Sequence, residues 1–365
     1  MRLPLTAVLL AWSAATAYAD GRAATWVSVY SDDDDLTVVS PQLSVRSDVG
    51  QEVEVEAGYD VDIISAASID VVTAASPRGY EERRHGLTLG ATWRPALATT
   101  LSLSYFPSWE ADYRSHGVLA LASREWIDRR LTTAVDLRVT LDRVGRAGEP
   151  SQSWRDLQQL AVGSTAAWVF DRWTIGRVIY QLTRNDGFMA SPYRFVDVTW
   201  TDTGMEVSVP EAVPDGRTRH AVSANLRRAL GKRLFASGSY RLYADSWGVV
   251  SHTGEVEVQR TFDWDRLIVG IGARGYRQAA ADFYERSYQA ATGQFPELRA
   301  ADKMLAESWS VLGSARGEVN LGAVLGFRAL RLTLKLEYLD QHFIDFELLD
   351  GRRGLIGAMG ATAEY

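Results

Sequence analysis

The segment EVEVEAGYDVDI, residues 52–63, alternates acid and hydrophobe so strictly that only an extended backbone accommodates it. Val53, Val55, Ala57, Tyr59, Val61 and Ile63 fall on one parity, and Glu52, Glu54, Glu56, Asp60 and Asp62 on the other. Successive side chains of a strand point to opposite faces, so the segment presents one apolar and one charged wall. Wound as a helix, the same residues would put charge on every side.

The alternation recurs in HGLTLGATW (85–93), LTTAVDLRVTL (131–141), SWSVLGSARGEVNL (308–321) and LRLTLKLEY (330–338). It predicts sixteen strands, at 22–31, 36–47, 51–64, 81–95, 98–114, 116–127, 130–145, 155–170, 172–188, 217–230, 232–247, 250–263, 265–283, 308–322, 328–343 and 353–365. Most reach the roughly 9 to 11 residues with which a tilted strand crosses a bilayer. Links alternate in length: short at 48–50, 95–98, 127–129, 171, 231 and 263–265, mostly long at 65–80, 146–154, 187–216, 285–307 and 345–352. Short turns on one side and long loops on the other are the build of outer-membrane barrels. Trp93, Trp126, Trp168, Trp173 and Trp264 fall beside short turns, and Trp109, Trp154, Trp247 and Trp309 beside long loops, as two interfacial girdles would require.

The first twenty residues, MRLPLTAVLLAWSAATAYAD, have the basic, apolar and A-x-A regions of a secretory signal peptide, which predicts a cleaved segment 1–19 and a barrel domain 20–365. Beyond it the most apolar window, LGAVLGFRALRLTLKL, is interrupted by Arg328, Arg331 and Lys335, so no spanning helix is expected. Hydrocarbon offers no partner for backbone N–H and C=O, which leaves a closed sheet. The expectation is therefore an all-β chain: a single closed antiparallel transmembrane barrel of about 16 strands (14–18), with short periplasmic turns and long outer loops, in the bacterial outer membrane. A soluble exported β-sandwich is the competing architecture.

A barrel of this size holds an aqueous channel. The polar parity then makes Glu52, Glu54, Glu56, Asp60, Asp62, Asp136, Arg138, Arg316, Glu318, Lys335 and Glu337 the candidate lumen-lining residues. Two readings stand: selectivity for a solute, or a solvated wall braced by ion pairs. The net charge of -7, with no basic block, speaks against a nucleic-acid partner, and the lack of cysteine excludes disulfides, thiolate metal sites and iron–sulfur clusters. None of His85, His116, His220, His252 and His342 lies in a recognisable catalytic motif, so neither an enzyme nor a cofactor is expected. The remaining hydrolase alternative would bring His116, His220 or His252 to acids at the outer rim. Asp32–Asp35 reads as an acidic turn, since the glycine of a calcium-binding hand is missing.

The stretch YDVDIISAASIDVVTAASPRGYEERR, residues 59–84, resembles the bacterial family catalogued as domain of unknown function 3570, with Ser65, Ser68, Asp70, Thr73, Ser76 and Pro77 on its motif. The resemblance implies an outer-membrane barrel without a settled biochemical role. Its members often accompany a small lipoprotein, a thioredoxin-like protein and a flavin transferase. That implies, as the alternative to a porin-like channel or transport conduit, a barrel that sheaths or docks an envelope redox partner. The small residues of 65–77 suit a constriction folded into the mouth, with an ordered surface loop as the other reading. The C-terminus, ending at Tyr365, resembles the signal read by the barrel-insertion machinery; that machinery and outer-membrane lipids are the expected partners.

Overall fold

The computed structural model describes residues 20–66, 80–262, 266–346 and 348–365. Nineteen strands follow one another: β1 Gly21–Asp32, β2 Leu36–Val49, β3 Val53–Ala66, β4 Tyr80–Ala96, β5 Thr99–Trp109, β6 Tyr113–Trp126, β7 Leu131–Val144, β8 Arg155–Asp171, β9 Thr174–Gly187, β10 Phe195–Trp200, β11 Glu206–Pro210, β12 Gly216–Ala229, β13 Leu234–Asp245, β14 Val250–Thr261, β15 Leu267–Gln278, β16 Tyr288–Ala290, β17 Ser308–Val324, β18 Phe327–Phe343 and β19 Gly351–Glu364. Sixteen of them pair with their neighbours in one closed antiparallel barrel, sealed where β1 runs beside β19 from Arg22↔Glu364 to Asp32↔Gly354. The other three, β10, β11 and β16, form a separate small sheet. Among the described residues the only helices are two single 3-10 turns, Ser151–Ser153 and Lys303–Leu305.

The sixteen barrel strands match the sixteen expected from alternation, because each keeps one face in a different solvent along its length. The register makes the two faces explicit. From Val55 the partners run Ala91, Leu103, Ala120, Leu137, Val162 and Leu182, apolar at every step. One residue along, from Glu54, they run Thr92, Ser102, Leu121, Asp136, Gly163 and Gln181. The apolar set is exposed: Ile271 is 64%, Val256 61%, Leu355 65% and Met359 63% open. A band of bare aliphatic side chains encircling a barrel fits hydrocarbon and not water, so we assign that face to the outside and the polar face to the interior.

The girdle tryptophans divide. Trp93, Trp109, Trp126, Trp173 and Trp309 are exposed, while Trp154 and Trp247 are 8% and 5% exposed. The last two are packing residues of the outer rim: Trp154 lies under the Arg114 guanidinium, and Trp247 under that of Arg217. Trp264 and the segment 1–19 lie outside the described residues.

Candidate functional site

The inner wall is held mostly by paired charge. Glu54 Oε2 is 3.3 Å from Arg94 Nη2, and Glu56 Oε1 is 3.0 Å from Arg46 Nη2. Ser40 donates to Asp62 at 2.5 Å. Glu318 pairs with Arg331 at 3.2 Å and Lys335 with Glu337 at 2.9 Å. Arg138 lies over the Phe106 ring at 5.1 Å, and the Asp136 carboxylate lies against the bare backbone of Gly163. Arg316 faces Lys335 across β17 and β18. Asp60 rests on Gly86, where a Cβ would meet its Oδ2 at 2.5 Å. Among the described residues Asp60 has no cation in salt-bridge range.

Beside Asp60 the wall opens into a hollow of about 540 Å³ lined by Trp26, Gln42, Glu56, Asp60, Thr88 and Thr333. The Trp26 ring lies over Gly360, and a side chain there would collide with it. Glu52 stands in the turn ahead of β3 and accepts from Trp93 Nε1 at 3.3 Å. Of the motif residues, Ser65 is the penultimate residue of β3, while Ser68, Asp70, Thr73, Ser76 and Pro77, and with them most of the expected constriction, lie outside the described residues.

The outer mouth carries a feature absent from the sequence-based expectation. The loops 188–215 and 279–307 are joined into one plate: β10 pairs antiparallel with β11 and parallel with β16, around Val196, Val198, Val209 and Tyr288. Glu211 ties the two loops together by accepting from Ser191 N and Ala301 N, and Arg194 pairs with Asp302 at 2.7 Å.

The plate is fastened to hairpins around the rim. Lys303 Nζ reaches Asp34 Oδ2 between β1 and β2 at 3.0 Å, with both side chains at or below 10% exposure. Arg146 and Ala147, between β7 and β8, donate to Pro192 O and to the Tyr193 hydroxyl, both at 2.7 Å. Burial, and next the Asp112 carboxylate between β5 and β6, pushes the Tyr193 hydroxyl up to about 12. Asp282 N donates to Trp247 O between β13 and β14, and Tyr284 donates to Asp345 O between β18 and β19. Anchors spread so widely through the strand order place the plate over the opening. The signal was present in FVDVTW and EVSVP, two short alternating runs inside a stretch long enough to read as loop.

Beneath this edge Glu82, Glu110 and Asp112 bring carboxylate oxygens within 4.8 Å of one another. They sit above the level of His85 and Trp109, at the outer ends of β4 and β5. Burial, and next the Asp112 charge, pushes the Glu82 carboxyl up to about 8. Burial also raises Glu110, although its bond from Glu82 and the nearby Arg84 charge pull it back. Glu82 therefore holds the proton, and one neutral acid lets three carboxyl groups share the space.

Asp32 accepts from Asp34 N and Leu36 N within its turn, Asp33 accepts from Arg353 N, and Asp34 holds Lys303. The histidines lie on the outward face beside tyrosine or tryptophan. Among the described residues His116, His220 and His252 bond tyrosine hydroxyls and not the acids that the hydrolase alternative required at the rim.

A closed sixteen-stranded sheet with an apolar outer band and a polar interior defines the class of outer-membrane β-barrels. A bacterial polysaccharide outer membrane secretin shares the fold at TM-score 0.54, with 10% identity over 95% of this chain and 98% of that one. The outer membrane protein OpdK of Pseudomonas aeruginosa, solved with vanillate, aligns at TM-score 0.48, with 8% identity over 95% of this chain and 99% of that one. No curated protein matches the sequence. The chain belongs to the family described as "Protein of unknown function (DUF3570)", which it matches over residues 142–345. That span includes both plate-forming loops and leaves out the motif at 59–84.

Proposed function

We propose that the protein is exported to the outer membrane and serves there as a porin-like channel or transport conduit, without enzymatic activity, whose outer mouth is covered by the plate of loops 188–215 and 279–307. The observation that carries this reading is the polar inner face of a closed sheet. Its Glu54, Glu56, Asp62, Glu318, Lys335 and Glu337 are braced by hydrogen bonds or ion pairs, as a wall against water requires. Asp60 places a carboxylate on the hollow while Arg316 faces Lys335 elsewhere on the wall, so the lining is of mixed charge. The plate is held to the rim by ion pairs and by two buried apolar clusters, in which Trp247 and Val249 meet Ala281, Ala300 and Leu305, and Phe343 and Phe346 meet Ala306, so it is a cover that opens at its ion-paired edges.

The absence of cysteine supplies a clean test. Single cysteines at Ser104, on the inner face, and at Leu103, on the outer, are introduced into protein reconstituted in liposomes. A charged, membrane-impermeant thiol reagent is expected to label position 104 at least tenfold faster than position 103, roughly the rate contrast of a wet against a lipid-buried thiol. Equal protection of both would contradict a water-filled interior.

A further inference from the structure

The outward face carries a pattern that conduction does not require. All five histidines of the chain occupy it. Four are bonded at Nδ1 to a tyrosine hydroxyl on the adjoining strand: His85 with Tyr59 at 2.8 Å, His116 with Tyr105 at 2.7 Å, His220 with Tyr180 at 2.9 Å and His252 with Tyr240 at 2.6 Å. In every pair the tyrosine's register partner lies two residues nearer the periplasm than the histidine, as Leu87 does opposite Tyr59. All four phenols therefore lean toward the outer rim. A ring that keeps its body in hydrocarbon and its hydroxyl among headgroups adopts this posture.

An arginine accompanies each pair on the same face. Arg83 and Arg114 stand two residues beyond His85 and His116. Arg184 donates to Thr218, two residues beyond His220, at 3.0 Å. Arg277 lies opposite His252. Phenol and imidazole thus rise in the same order out of the hydrocarbon at four places around the barrel, with the guanidinium beyond the imidazole at three of them and level with it at His252. Asp186 and Glu307 lie 3.7 and 3.1 Å from Arg184 and Arg277, whose side chains are 57% and 71% exposed. Such open pairs exchange readily for a stronger anion. The fifth histidine, His342, stacks on Trp309 at 4.3 Å with Asp340 3.1 Å from its Nε2, and falls outside the repeat.

We propose that the four outward Tyr–His–Arg rungs bind phosphate-bearing headgroups of glycolipids in the outer leaflet. The guanidinium takes phosphate oxygens in its planar fork, and the Tyr–His pair supports the sugar and the first acyl carbons below it. The depth of the rungs and their charge select this occupant. A soluble anion would have no use for four aromatic supports facing hydrocarbon.

The test reconstitutes the protein in phosphatidylcholine nanodiscs doped with diphosphoryl lipid A or its dephosphorylated form, and counts retained lipids by native mass spectrometry. Arg83→Gln, Arg114→Gln, Arg184→Gln and Arg277→Gln are combined in one variant. A second variant carries Arg138→Gln, Arg227→Gln, Arg274→Gln and Arg316→Gln, the same charge loss on the inner face. Wild type and the inner-face variant are expected to retain the phosphorylated form preferentially. The outward variant should lose that preference by about fivefold per site, from the attraction of one basic side chain to an anionic headgroup. Should the combined outward variant not fold, Arg114→Gln and Arg277→Gln singly should each remove one bound glycolipid. Equal retention of both lipid forms by wild type, equal loss in the two variants, or displacement of the lipid by inorganic phosphate would overturn the proposal.

Discussion

At the scale of the residue, the wall is governed by which carboxyl groups can remain charged. Glu54 and Glu56 are paired with Arg94 and Arg46, Asp60 has no cation in salt-bridge range among the described residues, and Glu82 keeps a proton. Glu82 titrates near 8 in the fold and near 4.5 in an unfolded chain. Between those values the folded protein binds the extra proton, so stability falls as pH rises through that window and levels off above it. Refolded protein is therefore expected to show a denaturation midpoint that declines from about pH 5 to about pH 8, the interval set by the two proton affinities. Glu82→Gln should flatten that decline, because it fixes the neutral form. An unchanged slope in Glu82→Gln would mean that burial and the Asp112 and Glu110 carboxylates do not hold a proton on this group.

At the scale of the element, two outer hairpins are built on one brace. Between β1 and β2, Asp32 accepts from Tyr30, Asp34 N and Leu36 N and lies 3.5 Å from Arg352 of β19. Between β13 and β14, Asp245 accepts from Tyr243, Trp247 N and Val249 N and is gripped by Arg217 of β12. Both aspartate side chains are 0% exposed and both arginines 14%. Removing one partner strands a buried guanidinium and two turn N–H groups. Asp245→Ala is expected to lower stability by about 3–5 kcal/mol and to loosen Trp247, read as a denaturation midpoint shift with altered tryptophan emission. An Asp245→Ala protein as stable as wild type would show that the turn holds without the brace.

The same elements explain what was legible beforehand. Barrel strands announce themselves because hydrocarbon and water select opposite parities for many consecutive residues, and turns because they interrupt that selection. The Tyr-x-Asp brace left a signature in YSD and YAD, but three residues specify no partner strand. The plate was read as loop because β10, β11 and β16 are short. Their role depends on contacts between segments some ninety residues apart, such as Glu211 with Ala301. The Tyr–His rungs were hidden for a related reason, since register across strands, and not spacing along one, brings Tyr59 to His85.

For the whole molecule, a closed barrel solves the backbone's hydrogen-bonding problem in hydrocarbon and leaves an interior too wide to be packed by wall side chains alone. The outer end is instead covered by chain segments tied to the rim through Asp34, Arg146, Trp247 and Asp345 and packed against Val249, Phe343 and Phe346. The buried Lys303–Asp34 pair is an ion-paired tether whose reversal loosens the cover, because a glutamate at 303 would set two carboxylates against each other in a dry site. The decisive measurement is planar-bilayer conductance of refolded wild type beside Lys303→Glu, each confirmed as inserted. A conduit under a movable cover predicts small or intermittent steps for wild type and larger, steadier ones for Lys303→Glu. Silence from both inserted proteins would contradict it.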